Sequence, residues 1–238
     1  MNLLKSVLIA SVCIAIFASC SKDDTIDNKS RVEVAIKTST AKQLKSTATD
    51  DLVIEKFEIN IAEIEFDIDD DMEDLLPAGD TLFTDVELDG PFLIDLMSSD
   101  AATGIKLAIA NVPNAVYEEI EFDFDIYEED DTKDIYGHSI FATGTYSNTP
   151  FVIISDEEWE IELEYPNGYK LDGAESKLWI DLNLDLFKQQ VAAIDFTQAE
   201  ITDGTIIISK DSNKEILNAF EKALENAFEV EEEGEDED

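Results

Sequence analysis

The chain has 238 residues, 44% of them hydrophobic, with 57 Asp and Glu against 16 Lys and Arg and a net charge of −41. A chain this acidic does not neutralise phosphates, so nucleic acid is excluded as a partner, and anionic lipid repels its body. The hydrophobic fraction is ordinary for a globular protein and excludes disorder throughout.

The chain begins Met1-Asn2-Leu3-Leu4-Lys5, continues through an apolar stretch to Phe17-Ala18-Ser19, and meets Cys20 before turning polar at Ser21-Lys22-Asp23-Asp24. A basic start, a short apolar core and small residues before a cysteine describe a cleaved secretory signal. The apolar run is short of the roughly 20 residues that a membrane helix needs. Phe17-Ala18-Ser19-Cys20 resembles a bacterial lipobox, with Phe17 where most members carry Leu. That resemblance implies cleavage before Cys20 and lipidation of its thiol. Ser21-Lys22-Asp23-Asp24 resembles the export signal of Bacteroidetes surface lipoproteins, which implies an outer-membrane protein facing outward. Cleavage leaves 15 basic residues against 57 acids and no thiol beyond Cys20, so stability must come from a packed core rather than from disulfides.

Residues 1–19 are therefore expected as signal peptide, 20–30 as tether, 31–211 as a β-sandwich domain, 212–229 as a C-terminal helix packed on it, and 230–238 as a disordered acidic tail. The fold class is mainly β, an antiparallel sandwich with one C-terminal amphipathic helix. Alternation carries this expectation: residues 120–126, 159–165 and 180–186 each place apolar residues on one face and acids or Asn on the other. Further strands are expected at 32–36, 54–68, 81–88, 92–96, 105–110, 139–146, 151–154 and 205–209. In residues 54–68 the apolar phase shifts near Ala62-Glu63, which predicts a β-bulge. Turns are expected at Pro77–Asp80, Asp89-Gly90-Pro91, Pro113-Asn114, Pro166-Asn167-Gly168 and Asp203-Gly204. Ser212-x-x-Glu215 has the form of a capping box, followed by Ile216, Leu217, Phe220, Leu224 and Phe228 at helical spacing.

The order Phe92-Leu93-Ile94-Asp95-Leu96, Ile109-Ala110-Asn111-Val112-Pro113 and Tyr117-Glu118-Glu119-Ile120 resembles a domain of unknown function common in Bacteroidetes lipoproteins, over roughly residues 30–210. The resemblance implies a cell-surface β-sandwich and carries no catalytic residues.

Chemistry-bearing patterns are few. His138 is the sole histidine and is expected at the surface where a strand starts, so neither a zinc site nor a Ser-His-Asp triad is indicated. Asp67, Asp69 and Asp71 have the first spacing of a calcium loop, but Met72 stands where that loop wants Gly and Ala78 where it wants Glu. Glu128, Asp130 and Asp131 form a second acidic group in an expected hairpin loop. Calcium is the one cofactor these groups suggest, against the alternative of solvated acidic loops. Trp159 is in phase with the core, whereas Trp179 is out of phase and, with Tyr165 and Tyr169 beside the Pro166-Asn167-Gly168 turn, forms the candidate glycan-contact patch. The functional expectation is a lipid-anchored, non-catalytic binding or structural module whose partners are the outer membrane and a glycan or another surface protein. The alternatives are a glycan-binding accessory lipoprotein of a polysaccharide uptake system and a carboxylate glycoside hydrolase.

Overall fold

The computed structural model describes residues 29–39, 52–68, 86–173 and 175–232. In chain order these form β1 (Lys29–Ser39), β2 (Leu52–Ile68), β3 (Val86–Asp95), β4 (Ile105–Pro113), β5 (Val116–Phe124), β6 (Ile140–Tyr146), β7 (Thr149–Ser155), β8 (Trp159–Lys170) and β9 (Glu175–Asn183). Then follow α1 (Leu184–Ala192), a short 3-10 turn at Phe196–Gln198, β10 (Ile201–Thr202), β11 (Thr205–Ile208), α2 (Lys214–Glu225) and β12 (Phe228–Glu232). The protein is mainly β, as its alternation requires. Pairing is antiparallel except for β1 with β9 and β7 with β11.

One sheet has the order β12-β9-β1-β4, and the other is built around the 17-residue strand β2. Leu52–Ile59 of β2 pairs with β6, Ile61–Ile68 pairs with β5, and Glu58–Phe66 pairs with β3. Ile59 and Ile61 thus face β3 on one edge and β6 or β5 on the other, so β5 and β6 lie end to end along the same edge of β2. The larger sheet forks there. One branch continues through β6, β7, β11 and β10, the other through β5 to β8.

Asn60 sits at the fork, 1% exposed. Its backbone N–H donates to the Ser139 carbonyl at 3.0 Å, and its side-chain Nδ2 donates to the Asp125 carbonyl at 3.0 Å. Where two strands part, their main-chain groups lose ladder partners, and burying them unpaired is costly. Ser139 and Ser155, also fully buried, complete the repair: Ser139 Oγ donates to the Glu157 carbonyl at 2.9 Å, and Ser139 N donates to the Ser155 carbonyl at 2.8 Å.

Buried side chains from both sheets and both helices make one continuous core. On the β5 branch, Phe124 meets Phe228 of β12 with ring centroids 6.0 Å apart. On the β6 branch the helices supply the cover: Phe57 of β2 lies 5.4 Å from Phe187 of α1 and 5.5 Å from Phe220 of α2, and the latter two are 5.3 Å apart. Aromatic pairs of this kind each contribute roughly 0.5–1.5 kcal/mol beyond area burial.

The expected bulge is present, since both ladders of β2 skip between Ile61 and Glu63. Asp89-Gly90-Pro91 does not end a strand as expected. Gly90 and Pro91 stand opposite Ala62 within a continuous β3, and a Cβ on Gly90 would lie 2.6 Å from the Ile61 carbonyl oxygen and 2.7 Å from that of Ala62. Glycine is there for close backbone approach. Pro166-Asn167-Gly168 is likewise no turn: β8 runs through it as a wide bulge, with Glu119 opposite Glu164 and Tyr117 opposite Tyr169. The expected loop between β5 and β6 is not a hairpin either, because those strands pair with β2 and not with each other.

Residues 180–186 do not form a single strand. β9 stops at Asn183, whose Oδ1 accepts from Leu186 N at 3.0 Å and caps α1. Leu184, Phe187 and Val191 are that helix's buried stripe, spaced by three and four. The C-terminal helix is present, but Ser212 does not cap it. Asn213 holds the N-cap position, in a left-handed conformation with φ 56°, but gives the helix no side-chain cap; its Nδ2 donates instead to the Glu200 and Ile207 carbonyls. Phe228 is buried as the first residue of β12, which pairs with β9 along Phe228–Glu232. The chain thus re-enters a sheet where a disordered tail was expected from residue 230. β9 offers an open edge there, and its main-chain bonds outweigh local acidity.

Phe57→Ala should cost about 3–5 kcal/mol, since it empties the centre of a three-ring cluster. Ile109→Ala, at a position 42% exposed, should change stability by less than about 0.5 kcal/mol. Denaturant unfolding of both variants measures the contrast.

Candidate functional site

The outer face of β3, β2, β5 and β8 is lined by acids in register. One cross-strand row is Glu87-Glu65-Glu121-Glu162, a second is Asp89-Glu63-Asp123-Glu160, and a third is Asp67-Glu119-Glu164. Directly opposed residues in a ladder have Cβ atoms roughly 5 Å apart, and like charges there repel. Alternation produced this face: each strand sends its apolar residues to the core and its acids outward.

The electrostatic consequence is a set of carboxyls whose pKa values are raised. Glu121 is pushed up to about 7, first by burial and then by Asp67, Glu119, Glu160 and Glu65. Glu119 is raised by burial and by Glu162, Asp67 and Glu164, and Glu63 by burial and by Glu87, Asp123 and Asp89. Asp67, Glu119 and Glu121 each offer a carboxylate oxygen within 4.8 Å of the other two. Three carboxylates offering one oxygen each supply at most half of the six to eight oxygens that calcium takes.

Asp67 is the one acidic candidate that joins a cluster among the described residues. Asp67 joins Glu119 and Glu121 from a neighbouring strand, whereas Asp69 and Asp71 lie outside the described residues, as do Cys20, Ser21, Lys22, Asp23 and Asp24. Glu128, Asp130 and Asp131 form no comparable group among the described residues. Asp130 Oδ1 instead accepts from Thr132 N at 3.0 Å and Thr132 Oγ1 at 2.6 Å, which holds its pKa down. In the same loop Asp134 accepts from Lys56 Nζ at 2.7 Å.

The aromatic patch does not form. Tyr169 is 6% exposed and belongs to the core, and Tyr165 packs against that core with their ring centroids 5.5 Å apart. Continuity of β8 through the bulge turns both rings inward. Trp179 does face outward, but on β9 in the other sheet. Lys177 Nζ lies 3.8 Å from its ring centroid and Lys37 Nζ 5.1 Å from it. Gly104, at φ 103°, leaves room for the ring, since a Cβ there would lie 2.3 Å from Cζ3 of Trp179. A ring so covered by ammonium groups has little face left for a sugar.

Trp159 is the residue that periodicity under-described. It packs on the core, stacked on Phe124 at 4.0 Å and 13°. It also lines a groove of about 470 Å³ together with Glu63, Asp123, Asp125, Glu158 and Glu160. The local signal was Glu157-Glu158-Trp159-Glu160, an indole set among acids. His138 departs from its expected surface position: it is half-buried, with Nδ1 lacking a hydrogen-bond partner, and burial lowers its pKa while Asp156 opposes the shift.

Comparison with protein-family models, with curated proteins and with solved structures finds no match to this chain.

Because the folded pKa of Glu121 lies above that of a free carboxyl, the native state binds its proton more tightly than the unfolded state does. Its stabilising effect is complete below about pH 4.5 and is lost as pH rises through about 7. Glu121→Gln should therefore stabilise the protein by about 1 kcal/mol at pH 8, allowing for solvent screening, and by nothing at pH 4. Sodium chloride at about 1 M, with a Debye length of about 3 Å, should raise the melting temperature at pH 8 and narrow the difference between the two proteins. Thermal unfolding at both pH values, with and without salt, reads all three effects.

Proposed function

We propose that this chain is a non-catalytic binding or structural module, anchored in the outer membrane by lipid on Cys20 and exposed at the cell surface through Ser21-Lys22-Asp23-Asp24. The observation that carries the non-catalytic reading is where the perturbed carboxyls stand. Three of the four carboxyls raised above the usual range, Glu63, Glu119 and Glu121, stand in rows of like charge on the outer face of a sheet, and the fourth, Glu221, lies on α2 beside the groove against β8. Such a face contacts a large partner or the ionic medium, and its geometry does not offer a substrate two carboxyls from opposite sides. The resemblance to surface lipoproteins agrees with this reading, and one diacyl anchor accounts for membrane attachment that an acidic body cannot supply. Among the described residues no helix is long and apolar enough to cross a membrane.

A second reading, a glycan-binding accessory lipoprotein, is favoured by the groove beside Trp159, where an indole stands among carboxylates that can accept sugar hydroxyls. Trp159→Ala abolishing binding on a sugar array would support it, and turnover of any glycan would favour a hydrolase instead.

Cys20→Ser should release the protein from outer membranes or leave it uncleaved. Joint replacement of Lys22, Asp23 and Asp24 by Ala should keep the lipid but remove sensitivity to protease added to intact cells. Fractionation and protease shaving test both. A Cys20→Ser protein that still sediments with outer membranes would refute the anchor.

A further inference from the structure

The free edge of β8 has the features of a docking site for an extended polypeptide. Among the described residues β8 pairs with β5 alone, so its other edge presents main-chain donors and acceptors without a ladder. Trp159, Ile161, Leu163 and Tyr165 point to the core, and Glu160, Glu162 and Glu164 are exposed. Along that edge lie two adjoining grooves. One, of about 410 Å³, separates the start of β8 from α2 at Asn218, Glu221 and Glu225. The other, of about 390 Å³, separates residues 160–163 from Glu225, Asn226 and Phe228. A stretch of four residues at about 3.3 Å each is roughly 13 Å long, enough for a short added strand.

Charge selects the occupant. Glu157, Glu160, Glu162, Glu221 and Glu225 line the grooves, against Lys214 and Lys222. Lys214 is already engaged by Glu157 at 3.6 Å. A second copy of β8 would set Glu160, Glu162 and Glu164 against themselves, a repulsion that also protects an open edge from self-association. A strand with Lys or Arg at alternate positions meets no such penalty. It would gain main-chain bonds from the edge and ion pairs from its rim.

The geometry points to β-augmentation: the open edge of β8 accepts an extended basic segment of a partner protein. This inference rests on the binding-module reading above and names the class of partner for it. The test uses the full chain and a blocked nonapeptide of alternating Lys and Val. Two control peptides carry Glu in place of Lys, or the same lysines with Pro in place of Val. The Lys-Val peptide should bind, with slowed amide exchange concentrated in residues 160–163. The Glu peptide should not bind, and the Pro peptide should give no protection of β8, since proline cannot donate to a ladder. Glu160→Lys with Glu162→Lys should weaken the Lys-Val peptide by about tenfold or more. Equal binding of the Lys-Val and Pro peptides, or binding without protection in β8, would overturn the proposal and leave only adhesion to the acidic face. Failure to bind at all would also overturn it, with an edge acidified only against aggregation as the result. None of these outcomes alters membrane anchoring or glycan turnover, which test the binding-module reading separately.

Discussion

β2 is the strand on which the rest of the structure depends. It is long enough to serve two branches of one sheet, and Asn60 is where one branch gives way to the other. A fork in a sheet exposes main-chain groups that no ladder can satisfy, so it survives burial only with dedicated polar partners. Asn60, Ser139 and Ser155 are those partners. The bulge two residues later realigns β2 on β5 and β3 together, which sets every side chain beyond it on its proper face.

That realignment has an electrostatic result. Because Glu63, Glu65 and Asp67 keep register with acids on β3 and β5, charge that would be dispersed on a helix is concentrated in rows. The core carries the fold despite this repulsion: Ile61, Ile64, Phe66, Ile120 and Phe122 beneath the face are at most 2% exposed. Burial, together with the repulsion, pushes the pKa of Glu121 up to about 7. The other sheet differs, since its outer side pairs Arg31 with Glu175 and Lys177 with Glu33 and covers Trp179 with lysines. The outer face of β3, β2, β5 and β8 is therefore acidic in rows, whereas that of the other sheet is balanced.

Much of the fold was legible because alternation is strong when one face is so consistently acidic. The strand expected at 120–126, which ends at Phe124, and the phase shift at Ala62-Glu63 were legible for that reason. The errors share a cause, which is that local signals carry no information about a neighbouring strand. Gly90-Pro91 and Pro166-Asn167-Gly168 look like turns, yet the same partner strand resumes its ladder on the far side of both, so each is a bulge within one strand. Leu184 and Leu186 continue an alternating phase, but Asn183 caps a helix there. β12 is acidic enough to read as tail, yet the open edge of β9 recruits it. The site was half legible: the outward acids were visible, but which of them meet depends on register. That is why Asp67 is joined to Glu119 and Glu121, 52 and 54 residues further along the chain, and why Tyr165 and Tyr169 turned inward.

If β2 unites the two branches, they should open together. Native-state hydrogen exchange on amides of β6 and β7 and on amides of β5 tests this, comparing the native protein with Asn60→Ala. In the native protein the slowest amides of both branches should share one opening free energy. In Asn60→Ala, which leaves the Asp125 carbonyl unpaired, both should fall by the same amount. Separate opening energies in the native protein, or a loss confined to one branch in the variant, would contradict the role given to β2.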